Sequence, residues 1–297
     1  HIRMNDTDGI EYFTEENSAE TVIARMAECP DPRLRQVMTS LVHHLHGFVK
    51  DIEPSQGEWT KAIEFLTRAG QMCDDKRQEW ILLSDILGVS MLVDAINSRR
   101  PGGATENTVL GPFHVTGIPV RAMGDTISLI EGGEPLVVSG RITDTDGHPV
   151  DGATLDIWQS SHEGFYSNQQ PELQPADNLR GIFRTGADGT YWFRSIKPTF
   201  YPIPTDGPAG QLLTGMNRHQ YRPAHIHYII NADGFDEVTT HIFVDGDPYL
   251  ESDAVFGVKQ SLIREFVRHD DPDRAAALGV GNPFWTVEAD FTLVNRS

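Results

Sequence analysis

Arg222-Pro223-Ala224-His225-Ile226-His227-Tyr228-Ile229-Ile230 is an apolar, β-branched run that reads as a strand. Side chains alternate faces along a strand, so residues two apart point the same way. His225 and His227 then face one side of the sheet, about 7 Å apart, a reach that one metal ion can bridge. The plain alternative is a pair of strand histidines on a solvated face. The chain has 12 His, so the choice depends on what else points at the same place.

Strand patterns continue on both sides of this stretch. Residues 136–144 lead through Asp146-Gly147-His148-Pro149 into residues 152–158, which predicts two strands across an Asp-Gly turn. Phe183-Arg184-Thr185, Ala187-Asp188-Gly189 and Tyr191-Trp192-Phe193-Arg194 repeat the arrangement. Residues 239–244 and 285–293 add strands, the last alternating cleanly. Asp253 precedes a predicted helix from Ala254 to about His269. The sum is an antiparallel β-sandwich of roughly eight strands.

Upstream the periodicity is helical. Asn17-Ser18-Ala19-Glu20 has a capping-box pattern and opens a short helix that stops before Pro30. Asp31-Pro32 starts a second, whose apolar Leu34, Val37, Met38, Leu41, Val42, Leu45, Phe48, Val49 and Ile52 keep a 3.6-residue period. Ser55-Gln56-Gly57-Glu58 opens a third. A fourth is predicted from about Lys76 to Ser98, ahead of Pro101-Gly102-Gly103. His43, His44 and His46 scatter around the second helix as surface or packing residues. On the fourth, Asp85 interrupts an apolar segment and shares a face with Leu82 and Val89; a carboxylate there is exposed, paired or functional. The fold class is α+β: a helical domain over residues 1–104, then a β-sandwich domain over residues 105–297.

Composition narrows the classes. The 297 residues are 39% hydrophobic and 23% charged, as in a globular protein. A net charge of −19 argues against nucleic acid and anionic membrane surfaces as partners. Cys29 and Cys73 have no metal-like spacing and read as small buried hydrophobes in a reducing compartment. His1-Ile2-Arg3 before Met4 resembles a vector remnant, and no apolar run approaches a membrane span. The expectation is a cytoplasmic protein without membrane insertion.

Two tyrosines stand in loops. Tyr166 follows His162-Glu163-Gly164-Phe165, and Tyr201 lies between Pro198 and Pro202, whose rings fix φ. Each alone reads as a packing tyrosine whose hydroxyl finds a partner. Together with His225 and His227 they point to a two-tyrosine, two-histidine iron site. A phenol ionises near pH ~10, so a tyrosinate ligand needs a strongly charged metal, and hard anionic oxygen favours Fe(III).

Tyr201-Pro202-Ile203-Pro204-Thr205-Asp206-Gly207-Pro208, Arg218-His219, Arg222-Pro223-Ala224-His225-Ile226-His227, Thr108-Val109-Leu110-Gly111-Pro112-Phe113 and Gly246-Asp247-Pro248-Tyr249 resemble the intradiol ring-cleaving dioxygenases over nearly the whole chain. Within that family the similarity is greatest to its hydroxyquinol-cleaving branch. It rests on Tyr201 to Pro204, Thr239-Thr240-His241-Ile242-Phe243, Ser252 to Lys259 and Asp85; catechol-cleaving members usually carry glutamine at His241 and no acid at Asp85. The resemblance implies one Fe(III) per chain on Tyr166, Tyr201, His225 and His227. It further implies cleavage by O2 of an aromatic diol or triol between its two hydroxylated carbons. Tyr201 would leave as a local base and Arg222 would stabilise negative charge on the ring. Leu82, Asp85, Val109, Gly111, Pro112, Phe113, Ile203, Pro204, Arg222 and Val255 match the family's substrate pocket. A homodimer through the helical domain, with phospholipid held between the helices of the two subunits, is also implied. Two other classes stay open: a zinc hydrolase on His-x-His plus a third ligand, and a non-catalytic β-sandwich binding module.

Overall fold

The computed structural model describes residues 12–75 and 77–297. The residues read as a vector remnant, and Lys76 at the expected start of the fourth helix, lie outside them. The chain packs as two compact units, one ending at Thr67 and one beginning at Arg68.

The first unit contains α1 (Ser18–Ala24), α2 (Pro32–Ile52) and most of α3 (Gln56–Gln71). Two of the three expected caps form. The Asp31 carboxylate accepts from the Arg33 and Leu34 amides, and Ser55 and Glu58 exchange hydrogen bonds of 3.2 and 2.8 Å. Asn17 does not cap α1: its side chain accepts instead from the Thr14 amide at 2.7 Å. On α2 only Val42 is buried, and Leu34, Val37, Leu41, Leu45, Phe48 and Ile52 stay exposed.

The second unit opens with α4 (Glu79–Ile86) and α5 (Val89–Asn97), where sequence periodicity predicts one continuous helix. Gly88 breaks it. Its φ of +75° is left-handed, and a Cβ there would sit 3.6 Å from the Phe256 ring. Both helices pack with the sheet-bearing unit, so the change in packing within α3 precedes the change from helix to strand. Val89 is therefore on a different helix from Leu82 and Asp85.

The strands are β1 (Pro135–Asp144), β2 (Thr154–Trp158), β3 (Arg180–Arg184), β4 (Thr190–Ile196) and β5 (Tyr201–Pro202). After α6 (Pro208–Gly215) come β6 (Tyr221–Arg222), β7 (His225–Asn231), β8 (Val238–Val244), β9 (Ile263–Arg264) and β10 (Val267–His269). Then α7 (Pro272–Leu278) precedes β11 (Phe284–Glu288) and β12 (Phe291–Leu293). One sheet runs β10-β11-β1-β12 with β4 also on β1, the other β3-β2-β7-β8-β9, and β5-β6 form a ribbon. Val138, Phe193 and Val287 from the first sheet share a buried core with Leu155, Ile226, Tyr228 and Ile242 from the second, which makes the two sheets a sandwich.

Pairing departs from the sequence reading in two ways. β1 pairs in parallel with β11 and β12, and β8 with β9, so the sheets are mixed. Local alternation does not report strand direction, which depends on where the chain returns from. The two Asp-Gly turns form, with Gly147 N–H donating to Asp144 O and Gly189 N–H to Gly186 O. Yet each links strands of different sheets: β1 and β2 on either side of the first, β3 and β4 of the second.

The helix predicted over residues 254–269 is absent, replaced by a short 3-10 turn at Gln260–Leu262 with β9 and β10. Asp253 does not cap a helix. It accepts from the Val255 and Gly257 amides, and Phe256 at φ +59° turns the chain away from helical geometry. Neither α6 nor α7 was anticipated, although Asp271-Pro272 at the start of α7 carries the same signal as Asp31-Pro32. Cys29 and Cys73 are free and half-buried. Among the described residues no helix is long and apolar enough to cross a membrane.

Candidate metal centre

Alternation on β7 sorts its side chains. Ile226, Tyr228 and Ile230 enter the sandwich core, so His225 and His227 point out of the opposite face, where both are still buried. Strand pairing surrounds His227: Trp158 on β2 lies opposite on one side and His241 on β8 on the other. The Trp158 ring stacks on the imidazole at 4.6 Å and 7°, and the His241 ring lies 4.1 Å away. The β5-β6 ribbon sets Tyr201 opposite Arg222, and Tyr166 precedes a 3-10 turn at Ser167–Gln169 whose Gln169 accepts its amide.

These elements bring four donor atoms together. Tyr166 Oη is 3.3 Å from Tyr201 Oη, 3.0 Å from His227 Nε2 and 3.4 Å from His225 Nε2. Tyr201 Oη is 3.3 Å from His225 Nε2, and the two Nε2 atoms are 3.1 Å apart. His225 Nδ1 donates to Pro223 O at 2.8 Å, so its Nε2 carries a lone pair, not a proton. His227 Nδ1 is buried with no hydrogen-bond partner.

A metal fits this donor set. Ligands about 2.1 Å from one centre, at angles between square and tetrahedral, lie about 3.0–3.4 Å from each other. Five of the six donor pairs lie at that spacing. Burial, followed by the Arg222 charge, holds His225 well below the ordinary imidazole value; burial and then His241 do the same for His227. Both are neutral and suited to ligation. Burial pushes the Tyr166 phenol well above its ordinary value, with Tyr201 adding to it, so only a strong local cation would ionise it. His225, His227 and His241 also form a three-nitrogen cluster able to hold a metal. The hydroxyl of Thr108 bonds His241 Nδ1, while His241 Nε2 has no partner.

Arg222 is buried beside this cluster. Burial opposes its charge, but Asp253, then Tyr201, hold it protonated even above its ordinary value. The contact to Asp253 runs from Nε to Oδ1 at 3.2 Å and from Nη2 to Oδ2 at 3.4 Å. Asp253 also accepts from the amide of Val255, tying that residue to Arg222. A cavity of about 460 Å3 is lined by Asp253 with Arg218, His219, Ala254 and Phe256, and by none of the four donors.

The other residues expected at the pocket are placed as follows. Phe113 stacks on Tyr166 at 4.5 Å. Gly111, at φ +77°, lies so close to His227 that a Cβ would be 3.3 Å from Cε1. Val109 lies two residues before it in the chain and Pro112 directly follows it. Asp85 and Leu82 are half-buried on α4; burial raises the Asp85 carboxyl, and Arg222 and Asp253 both act on its charge. Ile203 is buried and Pro204 exposed, both following Tyr201. Of the residues that join the site, Asp253 was read from sequence as a helix start and His241 only as a departure from catechol-cleaving relatives. Trp158 carried no signal beyond strand alternation, because its role depends on cross-strand register.

The family model described as "Dioxygenase" matches residues 119–292, and that described as "Catechol dioxygenase N terminus" matches residues 31–105. The hydroxyquinol 1,2-dioxygenase of Rhizobium sp. (strain MTP-10005) is 60% identical over 98% of this chain and 99% of its own. The 6-chlorohydroxyquinol 1,2-dioxygenase of Cupriavidus pinatubonensis is 49% identical over 88% of this chain and 95% of its own. The solved hydroxyquinol 1,2-dioxygenase of Pseudomonas putida DLL-E4 superposes with a TM-score of 0.90 and 46% identity, covering 95% of this chain and 99% of that one. The chain belongs to the intradiol ring-cleavage dioxygenase family.

Proposed function

We propose that the protein cleaves hydroxyquinol (1,2,4-trihydroxybenzene) with O2 between its two adjacent hydroxylated carbons, giving 3-hydroxy-cis,cis-muconate. We further propose one Fe(III) per chain on Tyr166, Tyr201, His225 and His227. Members of the family depend on iron, and the observation that carries the assignment is the convergence of two phenol oxygens and two imidazole nitrogens, each within 3.4 Å of at least two of the others. Bound there, ferric iron would supply a Lewis acid that keeps phenols and ring hydroxyls ionised. Tyr201 would take the proton of an incoming ring hydroxyl on its Oη. Arg222, held by Asp253, presents fixed positive charge to a ring that becomes negative. Trp158 and Phe113 cover the histidine and tyrosine faces and keep water out.

Metal analysis tests the assignment. The purified protein is expected to carry one iron per chain and to be wine-red from tyrosinate-to-iron charge transfer. A specific observation favours one rival: His241 supplies the third nitrogen that a zinc hydrolase would need. Stoichiometric zinc in a colourless protein would establish that rival and discard the ferric centre. The binding-module reading leaves the donor cluster without a purpose.

In this reading residues 1–104 serve dimerisation and residues 105–297 catalysis, in a cytoplasmic enzyme whose two thiols stay free. The exposed apolar positions of α2 support a homodimer through the helical part, with phospholipid between the subunits' helices. Light scattering should give twice the chain mass, and native mass spectra should show copurified lipid. A monomer discards the first half, and a lipid-free dimer the second.

A further inference from the structure

Arg180 is an anomaly in this interior. It is 1% exposed, and its three donors all go to uncharged acceptors: Nε to Ser167 Oγ at 2.9 Å, Nη1 to Phe113 O at 2.6 Å and Nη2 to Asn168 Oδ1 at 3.2 Å. Among the described residues no carboxylate pairs with it, whereas the other buried arginine, Arg222, is paired with Asp253. Leaving a guanidinium in an apolar interior without an anion is costly, so the position calls for a counter-charge.

Its acceptors show where that charge belongs. Ser167 and Asn168 directly follow Tyr166, and Phe113 is the ring stacked on Tyr166 at 4.5 Å and 21°. Arg180 thus grips the chain behind the Tyr166 ring and the backbone of the residue that covers it. Its own strand is anchored to the same sheet, since Arg180 is in register with Trp158, which is in register with His227. Of the ionisable groups acting on the guanidinium, Tyr166 ranks ahead of Asp156, which is already held by His114 at 2.8 Å.

We propose that Arg180 is the positioning residue of Tyr166: a buried cation, paired with no carboxylate, that clamps the two residues following Tyr166 and the residue stacked on its ring. The proposal deepens the ferric reading and rests on it.

Iron-loaded full-length protein carrying Arg180→Lys or Arg180→Met tests this by spectroscopy and metal retention. A positive charge near a phenolate lowers its donor orbital, so Arg180→Met should move the tyrosinate charge-transfer band to longer wavelength. It should also bind iron about 10–100-fold more weakly, the usual cost of losing a ligand's supporting partner. Arg180→Lys, which keeps the charge but not the three-way grip, should leave the band near its wild-type position. An unmoved band in Arg180→Met, or an equal shift in both variants, overturns the proposal. If Arg180→Met does not fold, the double variant Ser167→Ala, Asn168→Ala decides. It keeps the cation but removes two of its three acceptors, so iron bound about 10–100-fold more weakly supports the clamp and unchanged iron binding overturns it. A wild-type protein with no tyrosinate band removes the ferric reading and this assignment together, whereas a wild-type band with unaffected variants removes the assignment alone.

Discussion

Replacing Tyr201 by phenylalanine is expected to leave the iron bound and to cut turnover by about a hundred- to ten-thousandfold, the range for loss of a positioned general base. The ring is buried at 5% exposure and its hydroxyl is the only atom lost, so packing survives. Three donors, Tyr166, His225 and His227, remain 3.0–3.4 Å from each other. What disappears is the oxygen 3.3 Å from both Tyr166 Oη and His225 Nε2, the acceptor for the substrate's proton. Metal content and kcat, measured on one preparation, separate the two roles. Iron lost together with activity would make Tyr201 an indispensable ligand, and unimpaired turnover would remove it from the mechanism. Tyr166→Phe should behave in the opposite way, losing iron first.

The candidate donor residues were more legible in the sequence than their surroundings. His225 and His227 were legible because strand alternation is local: residues 226, 228 and 230 enter the core and 225 and 227 cannot. Tyr166 and Tyr201 stood out as loop aromatics, and resemblance tied them to the histidines. Asp253 was misread because an acid before an apolar run looks like an N-cap whether or not a helix follows. Here its carboxylate is occupied by Arg222, 31 residues earlier, and by two amides of its own loop. No local pattern encodes that pairing. Trp158, His241 and Arg180 fall in the same class, since each meets the site through register between strands distant in sequence. The helix break at Gly88 was visible as a glycine in a helical pattern, but only the Phe256 ring packed against it shows why the chain turns there. The sandwich itself was legible and its strand directions were not, because alternation specifies a face and not a neighbour.

Asp85 should decide which ring the enzyme prefers, and its removal should collapse that preference. Hydroxyquinol carries one hydroxyl more than catechol, away from the adjacent pair. A hydrogen bond from that hydroxyl to a carboxylate is worth about 1.5–3 kcal/mol, roughly ten- to more than a hundredfold in kcat/KM. Ser90 donates to Asp85 Oδ1 at 2.5 Å and Ser84 lies 2.8 Å from Ser90, so the serines occupy one oxygen and leave Oδ2 to meet a substrate hydroxyl. When catechol binds, that half-buried oxygen has lost water and gained nothing, and the discrimination lies in this unpaired acceptor. Burial raises the Asp85 carboxyl, against the pull of Ser90 and Arg222, so the ionised acceptor is present above its folded pKa and lost below it. Selectivity should therefore fade on acidification sooner than an exposed aspartate would allow. The decisive measurement is kcat/KM for both substrates in wild type and Asp85→Ala. Wild type should favour hydroxyquinol, and the variant should lose that advantage through hydroxyquinol alone, with catechol turnover little changed. A ratio that survives the substitution means another group reads the third hydroxyl, and a wild type that prefers catechol means the substrate itself is misassigned.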